Sequence, residues 1–313
     1  MRTTTQRAAA VTGIALVAAL ALSACSTPEA PTDPAASGDP ELFALLPEDI
    51  QDAGEMIVAT DANYPPCDFV NEEGDIDGFN HDLLMAMAEK LGITITQESI
   101  AFDGLIPGVQ GGKYPAAMEC ISDRLERQEQ VTFIDNAYAT SGVLTLADNP
   151  AGVSENPLSL CGVSVGIQTG TDYVADEALF SENCEQEGLE ALDAIEFPSA
   201  TEVTTALQSG RVEASFTNLA TGAYQNLQTD GAVTVFPSPL MSKVYNGIIV
   251  AHESEDLAQA LLGALEAIIA DGTYEEIMAE WGLESQVLLE PGINLATERP
   301  IEEPTACGAC GLD

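Results

Sequence analysis

The sequence contains very little positive charge. Its 313 residues include nine lysines and arginines and two histidines, against 51 aspartates and glutamates, which gives a formal net charge of -42. Binding to nucleic acid depends on clusters of Lys and Arg, so this balance excludes a nucleic-acid-binding role. It also disfavours unaided adsorption to anionic lipid. The acidity bears on solubility and association rather than on the fold.

The apolar run at residues 11–22 is too short to span a bilayer. It follows two arginines in a region without acids, and this pattern predicts a signal peptide. The run ends in L-S-A-C at 22–25, which resembles the bacterial lipoprotein box. The resemblance implies diacylglycerol on the Cys25 thiol and cleavage before it. A secretory signal that happens to contain a cysteine is the open alternative.

Six cysteines remain beside Cys25, an even number for an exported chain in a disulfide-permissive compartment. The favoured pairs are Cys161 with Cys184, Cys307 with Cys310, and Cys67 with Cys120. The sequence alone does not fix this pairing. The C-x-x-C at 307–310 has no histidine or second cysteine pair nearby to complete four zinc ligands, so we predict no metal site and no cofactor.

The stretch at 102–127 carries the strongest indication of a site. A short buried strand is predicted at 116–118, followed by Glu119, Cys120 and Ser122, with Arg127 a helical turn further on. In open α/β sheets, ligands bind outside the carboxyl ends of the strands. These polar residues therefore predict a ligand site. Asp61, which follows another predicted strand at 56–60, is expected at the same edge.

The same phrase occurs twice. V-Q-G-G-K-Y-P-A at 109–116 is echoed by L-Q-S-G-R-V-E-A at 207–214, which places Glu119 opposite Thr217 and Cys120 opposite Asn218. Two copies of a helix, glycine turn and strand predict two similar α/β lobes whose strand ends face one cleft. The alternative is that this phrase is a common helix-to-strand joint. Q-T-G-T-D at 168–172 begins a helix whose backbone amides suit an anion.

Six phrases, in order, resemble the polar amino-acid family of extracellular solute-binding proteins, family 3, which feed ABC importers. They are A-T-D-A-N-Y-P-P at 59–66, D-I-D-G-F-N-H-D-L at 75–83, F-D-G-L-I-P-G-V-Q-G-G-K-Y at 102–114, E-R-Q-E-Q-V-T-F at 126–133, Q-T-G-T at 168–171 and A-D-G-T-Y-E-E-I-M-A-E-W at 270–281. The resemblance spans residues 54–286. It implies an α/β, two-lobed periplasmic-binding-protein fold of type II, with two hinge strands and a ligand cleft between the lobes.

The expected division of the chain follows from this fold. The segments are a lipoprotein signal peptide at 1–24, a flexible tether at 25–53, a discontinuous first lobe at 54–142 and 246–290, a second lobe at 143–245 and a C-terminal tail at 291–313. The tether prediction rests on a composition rich in Pro, Ala, Ser, Thr and Asp.

The resemblance also assigns roles to single residues. Arg127 would hold the ligand carboxylate through a two-pronged ion pair, unless it merely pairs with neighbouring glutamates. Tyr64 and Phe102 would sandwich the apolar part of the ligand, and Asp61 would address a polar or cationic side chain, unless it is only a cap. The predicted ligand-binding residues are Asp61, Tyr64, Phe102, Glu119, Cys120, Ser122, Arg127, Gly170, Thr171, Asp172 and Asn218.

Three positions depart from the family pattern. Asn218 stands where the family usually has an aspartate that binds the ligand's α-ammonium, Cys67 replaces an aromatic residue, and Cys120 replaces a glycine or serine. Glu119 and Asp123 are candidates for the missing acid, or they belong to the general acidity. A ligand with a substituted amine, or a larger cationic compound, would fit as well as an ordinary amino acid.

These observations predict a monomeric, lipid-anchored receptor on the outer face of the cell membrane. It would capture an amino acid or related zwitterion, deliver it to an ABC permease and catalyse no reaction. Two alternatives remain open. The first is an exported dehydratase that uses Glu119 as acid or base, and the second is a ligand-sensing subunit of a membrane signalling system.

Overall fold

The computed structural model describes residues 38–241 and 243–311. The predicted signal peptide, the lipidation site Cys25 and residues 26–37 of the predicted tether lie outside this range. None of the helices within it combines the length and the apolarity that crossing a bilayer requires.

The described residues form a mixed α/β structure. The strands are β1 (Glu55–Thr60), β2 (Asn63–Tyr64), β3 (Asp68–Val70), β4 (Ile76–Asp77), β5 (Thr94–Ser99), β6 (Ala116–Ser122), β7 (Thr132–Leu146), β8 (Ser164–Gln168), β9 (Asp193–Phe197), β10 (Ala214–Asn218), β11 (Val233–Pro237), β12 (Lys243–Val250) and β13 (Val287–Ile293). The helices are α1 (Pro40–Phe43), α2 (Glu48–Ala53), α3 (Phe79–Leu91), α4 (Leu105–Gln110), α5 (Leu125–Gln128), α6 (Tyr173–Gln186), α7 (Ala200–Gln208), α8 (Leu219–Gln228), α9 (Glu255–Ala270), α10 (Thr273–Glu280) and α11 (Leu295–Glu298).

One long strand joins two half-sheets. The strand order is β5-β1-β6-β12-β7-β10-β8-β9, and β11 and β13 also pair with β7. Residues 132–140 of β7 pair with β12, whereas residues 141–145 pair with β10. We call the structure around β5, β1, β6 and β12 the first lobe, and the structure around β10, β8 and β9 the second lobe. The predicted α/β fold with two lobes is confirmed.

Strand β7 corrects one expectation. The sequence pattern predicts two separate strands, at 131–134 and 142–146. The structure has one continuous strand, and Asp135 and Asn136 are buried inside it. Oδ2 of Asp135 accepts a hydrogen bond from the amide of Leu295, and the backbone carbonyl of Asn136 accepts one from the Tyr274 hydroxyl. These bonds connect the middle of β7 to segments that are distant in sequence.

Helices cover both faces of each half-sheet, so the central strands β6, β8, β10 and β12 are largely buried. Helix α3 contributes Leu83, Leu84, Met87 and Leu91 to the first core and ends at Gly92, whose φ is +68°. Helices α9 and α10 pack on the same side, and α4 covers the opposite face. The second lobe has two equivalent cores, one on each face of its sheet.

The repeated phrase forms the same unit in both lobes. Helix α4 leads through Gly112 into β6, and α7 leads through Gly210 into β10. Both glycines have positive φ, +67° and +71°, which residues with a Cβ rarely adopt. The prediction of two similar helix-turn-strand units is therefore confirmed.

The predicted tether at 25–53 extends too far along the chain. Residues 40–53 contain α1 and α2, and Leu46 and Ile50 are buried in the core of the first lobe. The composition that suggests a tether ends near residue 40, so the predicted boundary at 53 includes a folded segment.

The described part of the chain contains three disulfides, with the pairings favoured from the sequence. Cys67 is bonded to Cys120 and Cys161 to Cys184, and Cys307 is bonded to Cys310. The first lies within the first lobe and the second within the second lobe. The third closes a loop of the C-terminal tail, where Cys310 packs against the second-lobe core.

Candidate ligand-binding site

A narrow cleft lies where β7 passes from one lobe to the other. Its wall consists of Tyr64, Phe102, Glu119, Cys120, Ser122, Ala139, Ser141, Gln168, Thr171, Asp172, Tyr173, Asn218 and Asn246. Eight of the eleven residues predicted from the sequence are among them. The other three, Asp61, Arg127 and Gly170, lie directly behind this wall.

Strand β6 supplies the centre of the first-lobe wall. Glu119, Cys120 and Ser122 lie within the strand, which extends to Ser122 instead of ending at Met118 as predicted. The disulfide from Cys120 to Cys67 ties β6 to the loop that follows Tyr64. Two segments that line the cleft are thereby fixed to each other.

Tyr64 connects the two lobes. Its hydroxyl oxygen lies 3.1 Å from the Tyr173 hydroxyl and 3.2 Å from Oγ1 of Thr217, and it accepts a hydrogen bond of 2.8 Å from the amide of Asn218. All three partners belong to the second lobe. Tyr64 therefore contributes to lobe closure, a role that its predicted place in an aromatic sandwich did not include.

Asp61 also contacts the second lobe. Its Oδ2 accepts a hydrogen bond of 3.0 Å from Nε2 of Gln168, and its Oδ1 accepts one of 2.6 Å from Nδ2 of Asn63. Burial raises the pKa of Asp61, and these two hydrogen bonds act in the opposite direction. The carboxyl group thus lies next to the cleft and joins its two walls.

Arg127 lies at the other end of the cleft and is only 8% exposed. Its guanidinium donates to the carbonyl of Ser122 at 3.0 Å and to the carbonyl of Gly170, in the second lobe, at 3.1 Å. The ring centroid of Phe102 lies 5.8 Å away. Arg127 has no ion-pair partner within 4.0 Å among the described residues, so its positive charge is suited to an anionic group of a ligand.

Gly170 allows the second lobe to approach this end of the first. Its φ is +83°, and a Cβ at this position would lie 2.9 Å from Cβ of Asp103 in the first lobe. Any larger residue would force the two surfaces apart. The loop that follows also holds Thr171, whose hydroxyl donates to the carbonyl of Gln168 at 2.7 Å.

Arg124 is a functional candidate that sequence reasoning missed. Its Nε lies 2.9 Å from Oδ2 of Asp172 in the second lobe, and its Nη1 lies 2.8 Å from Oε1 of Glu303 in the C-terminal tail. Burial alone would raise the pKa of Asp172, but Arg127 and Arg124 hold it below its ordinary value. Gln168 and Tyr173 were also missed, because their partners are distant in sequence.

Glu119 lies in the wall of the cleft with 2% of its surface exposed. Its Oε1 has no hydrogen-bond partner among the described residues. Burial, followed by the charges of Asp68 and Asp61, raises the pKa of Glu119 well above its ordinary value. Burial also raises the pKa of Asp68, to about 7. This side of the cleft therefore favours positive charge.

The side chain of Asn218 caps the N-terminus of helix α8. Its Oδ1 accepts a hydrogen bond of 3.0 Å from the amide of Ala220, at the start of α8. The amide side chain thus faces the cleft as a neutral group that also stabilises its own helix.

One group of possible metal ligands occurs among the described residues. One atom each of Cys67, Glu119 and Cys120 lies within 4.8 Å of the others. The two sulfur atoms are bonded to each other, and a disulfide does not supply the thiolates that metals prefer.

Comparison with known proteins agrees with this fold and cleft. The chain is 29% identical over 263 residues to the arginine-binding protein ArgT of Corynebacterium glutamicum, and the aligned region covers 84% of each of the two chains. A solved ancestral arginine-binding protein bound to glutamine has a TM-score of 0.67 and 29% identity, covering 74% of this chain and 99% of its own. The ancestral amino acid-binding protein AncCDT-1, described as a precursor of cyclohexadienyl dehydratase, has a TM-score of 0.64 and 27% identity. The match covers 76% of this chain and 99% of AncCDT-1.

Residues 56–284 match the family described as bacterial extracellular solute-binding proteins, family 3. This range includes both lobes, the cleft and all eleven predicted site residues. The chain therefore belongs to the bacterial extracellular solute-binding proteins of family 3.

Proposed function

We propose that this protein is the lipid-anchored receptor of an ABC importer and that it binds an amino acid with a cationic side chain. The observation that carries the proposal is the distribution of charge along the cleft. Arg127 lies at one end, and the buried carboxyl groups of Asp61 and Glu119 lie on the first-lobe side. A ligand with a carboxylate and a distal cation complements both.

The energetic reason is the high cost of leaving charged groups buried without partners. A ligand carboxylate at Arg127 and a ligand cation near Asp61 and Glu119 would each replace water with a charged hydrogen bond. An uncharged side chain would leave Oε1 of Glu119 without a charged partner, whereas the oxygens of Asp61 already accept hydrogen bonds from Asn63 and Gln168. We therefore expect arginine, lysine or ornithine to bind more tightly than glutamine.

Lobe closure would couple binding to transport. The hydrogen bonds of Tyr64 to Tyr173, Thr217 and Asn218 belong to the closed arrangement. A ligand that bridges the two walls stabilises this arrangement relative to an open one, and a permease can distinguish the two. The relatives named as arginine-binding proteins support the same ligand class.

Thermal unfolding of the purified full chain tests the ligand class. A ligand present at a hundred times its dissociation constant raises the free energy of unfolding by about 2.7 kcal/mol. We expect a clear rise in Tm with L-arginine, L-lysine or L-ornithine and a smaller rise with L-glutamine. If no amino acid changes the Tm, the proposal is wrong.

The proposed anchor is the acylated thiol of Cys25, in the segment outside the described residues. Because a single acyl chain gives only marginal membrane binding, stable attachment needs the several chains of a mature lipoprotein. We expect Cys25→Ala to release the protein from the membrane fraction. Retention of the variant in that fraction would refute the anchor.

A dehydratase function is the alternative, because a buried carboxyl with a raised pKa suits a general acid. Glu119 is such a group, and AncCDT-1 shows that the fold is related to one enzyme lineage. Turnover of prephenate by the wild-type chain, and loss of turnover in Glu119→Gln, would favour this alternative. We expect no turnover.

A further inference from the structure

We propose that Glu119 is the residue that selects a ligand with a cationic side chain, through the carboxylate oxygen Oε1, which has no hydrogen-bond partner among the described residues. The inference rests on the proposed amino-acid-binding function and identifies the group that recognises the positive charge of the ligand's side chain. Its basis is a comparison of the carboxyl groups around the cleft.

Each neighbouring carboxyl group already has donors for its oxygens. Asp61 accepts from Asn63 and Gln168, as described above. Asp68 accepts from Nδ2 of Asn80 at 2.9 Å and from Nε2 of Gln97 at 2.8 Å. Asp172, at the other end, is paired with Arg124. Oε1 of Glu119 alone lacks a donor among the described residues of this group.

A buried acceptor without a donor is costly, and native proteins have few of them. The nearest groups cannot relieve the cost. A carboxylate oxygen of Glu119 lies within 4.8 Å of the sulfur atoms of Cys67 and Cys120, and a disulfide has no hydrogen to donate. A donor from the ligand would satisfy this oxygen.

The charges that face Glu119 determine which donor is preferred. They are the carboxyl groups of Asp61 and Asp68, the phenol of Tyr64 and, more weakly, the guanidinium of Arg127. Two acids against one base make the surroundings favourable for a cation. A guanidinium has five N–H donors in one plane, so it can donate hydrogen bonds to Oε1 and to a neighbouring acceptor at the same time.

The position of Glu119 points to the side chain of the ligand rather than to its α-ammonium. The α-ammonium is attached to the same carbon as the carboxylate, so it stays near Arg127. Arg127 bonds to the carbonyl of Ser122, and Glu119 lies three residues before Ser122 in strand β6, about 10 Å along the strand. This separation places Glu119 toward the distal end of a bound amino acid.

Calorimetric titration of the full chain with three probes tests the proposal. L-arginine has both cations, L-citrulline has an uncharged group of the same shape in place of the guanidinium, and 5-guanidinopentanoate lacks the α-amine. Glu119→Gln removes the charge and keeps the shape. Loss of a hydrogen bond to a charged group weakens binding by about 10- to 100-fold. We expect this loss for L-arginine and 5-guanidinopentanoate and a change below about threefold for L-citrulline.

Three results would overturn the proposal. Equal losses for L-arginine and L-citrulline, with 5-guanidinopentanoate unaffected, would place Glu119 at the α-ammonium. Unchanged affinity for L-arginine would remove Glu119 from the site. A wild-type chain that binds L-citrulline or L-glutamine but not L-arginine would refute the selection of a cation and leave amino-acid binding intact. A wild-type chain that binds no amino acid would refute the proposed function itself.

A separate observation concerns the C-terminal strap, by which we mean residues 287–311. It lies beyond residue 284, where the match to the family ends. We infer that the strap fastens the second lobe to the first and thereby favours the closed cleft.

The strap begins as part of the first lobe. Its strand β13 pairs with β7, and Leu295 is buried with its amide bonded to Oδ2 of Asp135 at 2.8 Å. The next amide, of Ala296, donates to Oδ2 of Asp123 at 2.9 Å. This attachment does not involve the second lobe.

The strap ends on the second lobe. Asn183 of α6 is completely buried, and its Oδ1 accepts from the amides of Cys307 at 2.8 Å and Gly308 at 2.7 Å. Its Nδ2 donates to the carbonyl of Gly308 at 3.0 Å. Between the two attachments, Glu303 pairs with Arg124. Separation of the lobes would have to stretch the linking residues or break these contacts.

Asn183→Ala removes all three hydrogen bonds at one end of the strap, and a chain that stops after Arg299 removes the strap beyond α11. We expect both variants to have a larger radius of gyration without ligand, by small-angle X-ray scattering, and about tenfold weaker L-arginine binding. Asn226→Ala, which loses a hydrogen bond to the carbonyl of Val233 within the second lobe and does not touch the strap, is the control. An unchanged radius and affinity in Asn183→Ala would overturn the inference, even if the truncated chain fails to fold.

Discussion

The disulfide between Cys67 and Cys120 provides the sharpest test of how the cleft is built. We consider replacement of both cysteines by alanine. The residues are 53 apart in sequence, and the chain-entropy relation gives a loss of about 4 kcal/mol in the free energy of unfolding. The pair Cys161 and Cys184, 23 residues apart, gives about 3 kcal/mol by the same relation. The two double variants are therefore expected to lose similar amounts of stability, within about 1 kcal/mol of each other.

Their effects on binding are expected to differ. The first disulfide holds β6 against the loop that carries Tyr64, and Cys120 lines the cleft. The second disulfide lies in the second lobe and contributes no cleft residue. Urea denaturation followed by the fluorescence of Trp281, the one tryptophan, measures stability, and calorimetry with L-arginine measures affinity. We expect both variants to be destabilised, but only the first to bind at least tenfold more weakly. Equal affinities in the two variants would refute the reasoning.

Three further predictions concern closure and pH. Tyr64→Phe loses the cross-lobe hydrogen bonds, each worth about 1 kcal/mol, and is expected to weaken L-arginine binding roughly tenfold by calorimetry. Gly170→Ala forces a Cβ toward Asp103 and is expected to enlarge the ligand-bound radius of gyration, measured by X-ray scattering; an unchanged radius would contradict the close approach. Because burial raises the pKa of Glu119, L-arginine affinity is expected to rise as pH increases above the ordinary carboxyl range, with release of a proton. A flat pH profile, or one that Glu119→Gln leaves unchanged, would contradict this.

Local patterns in the sequence predict much of the fold. The spacing of Leu83, Leu84, Met87 and Leu91 predicts helix α3, and Gly92 marks its end. The echo between residues 109–116 and 207–214 predicts the two equivalent units that face each other. Each of these signals lies within a few residues along the chain. Hydrophobic periodicity and the glycines at the ends of elements are therefore sufficient to find it.

Features that depend on distant partners could not be predicted in this way. The buried Asp135 and Asn136 within β7 are stabilised by Leu295 and Tyr274, more than a hundred residues away. The bridge from Arg124 to Asp172 and Glu303 likewise requires three separate segments to meet. Hydropathy patterns contain no information about such pairs.

The same limit applies to the site. The strand-end pattern and the resemblance to the family together predicted eleven site residues, and eight of them line the cleft. Neither indicated that Tyr64 bonds to the second lobe or that Oε1 of Glu119 lacks a donor among the described residues. These properties depend on the side chains of both lobes in the folded state.

Calorimetric titration of L-arginine into the wild-type chain and into Arg127→Ala tests the central claim most directly. The account predicts one binding site in the wild-type chain, with at least tenfold preference for L-arginine over L-glutamine. It also predicts that Arg127→Ala, which removes the partner of the ligand carboxylate, abolishes binding while the variant still unfolds cooperatively. Absence of binding in the wild-type chain, or unchanged affinity in the variant, would contradict it.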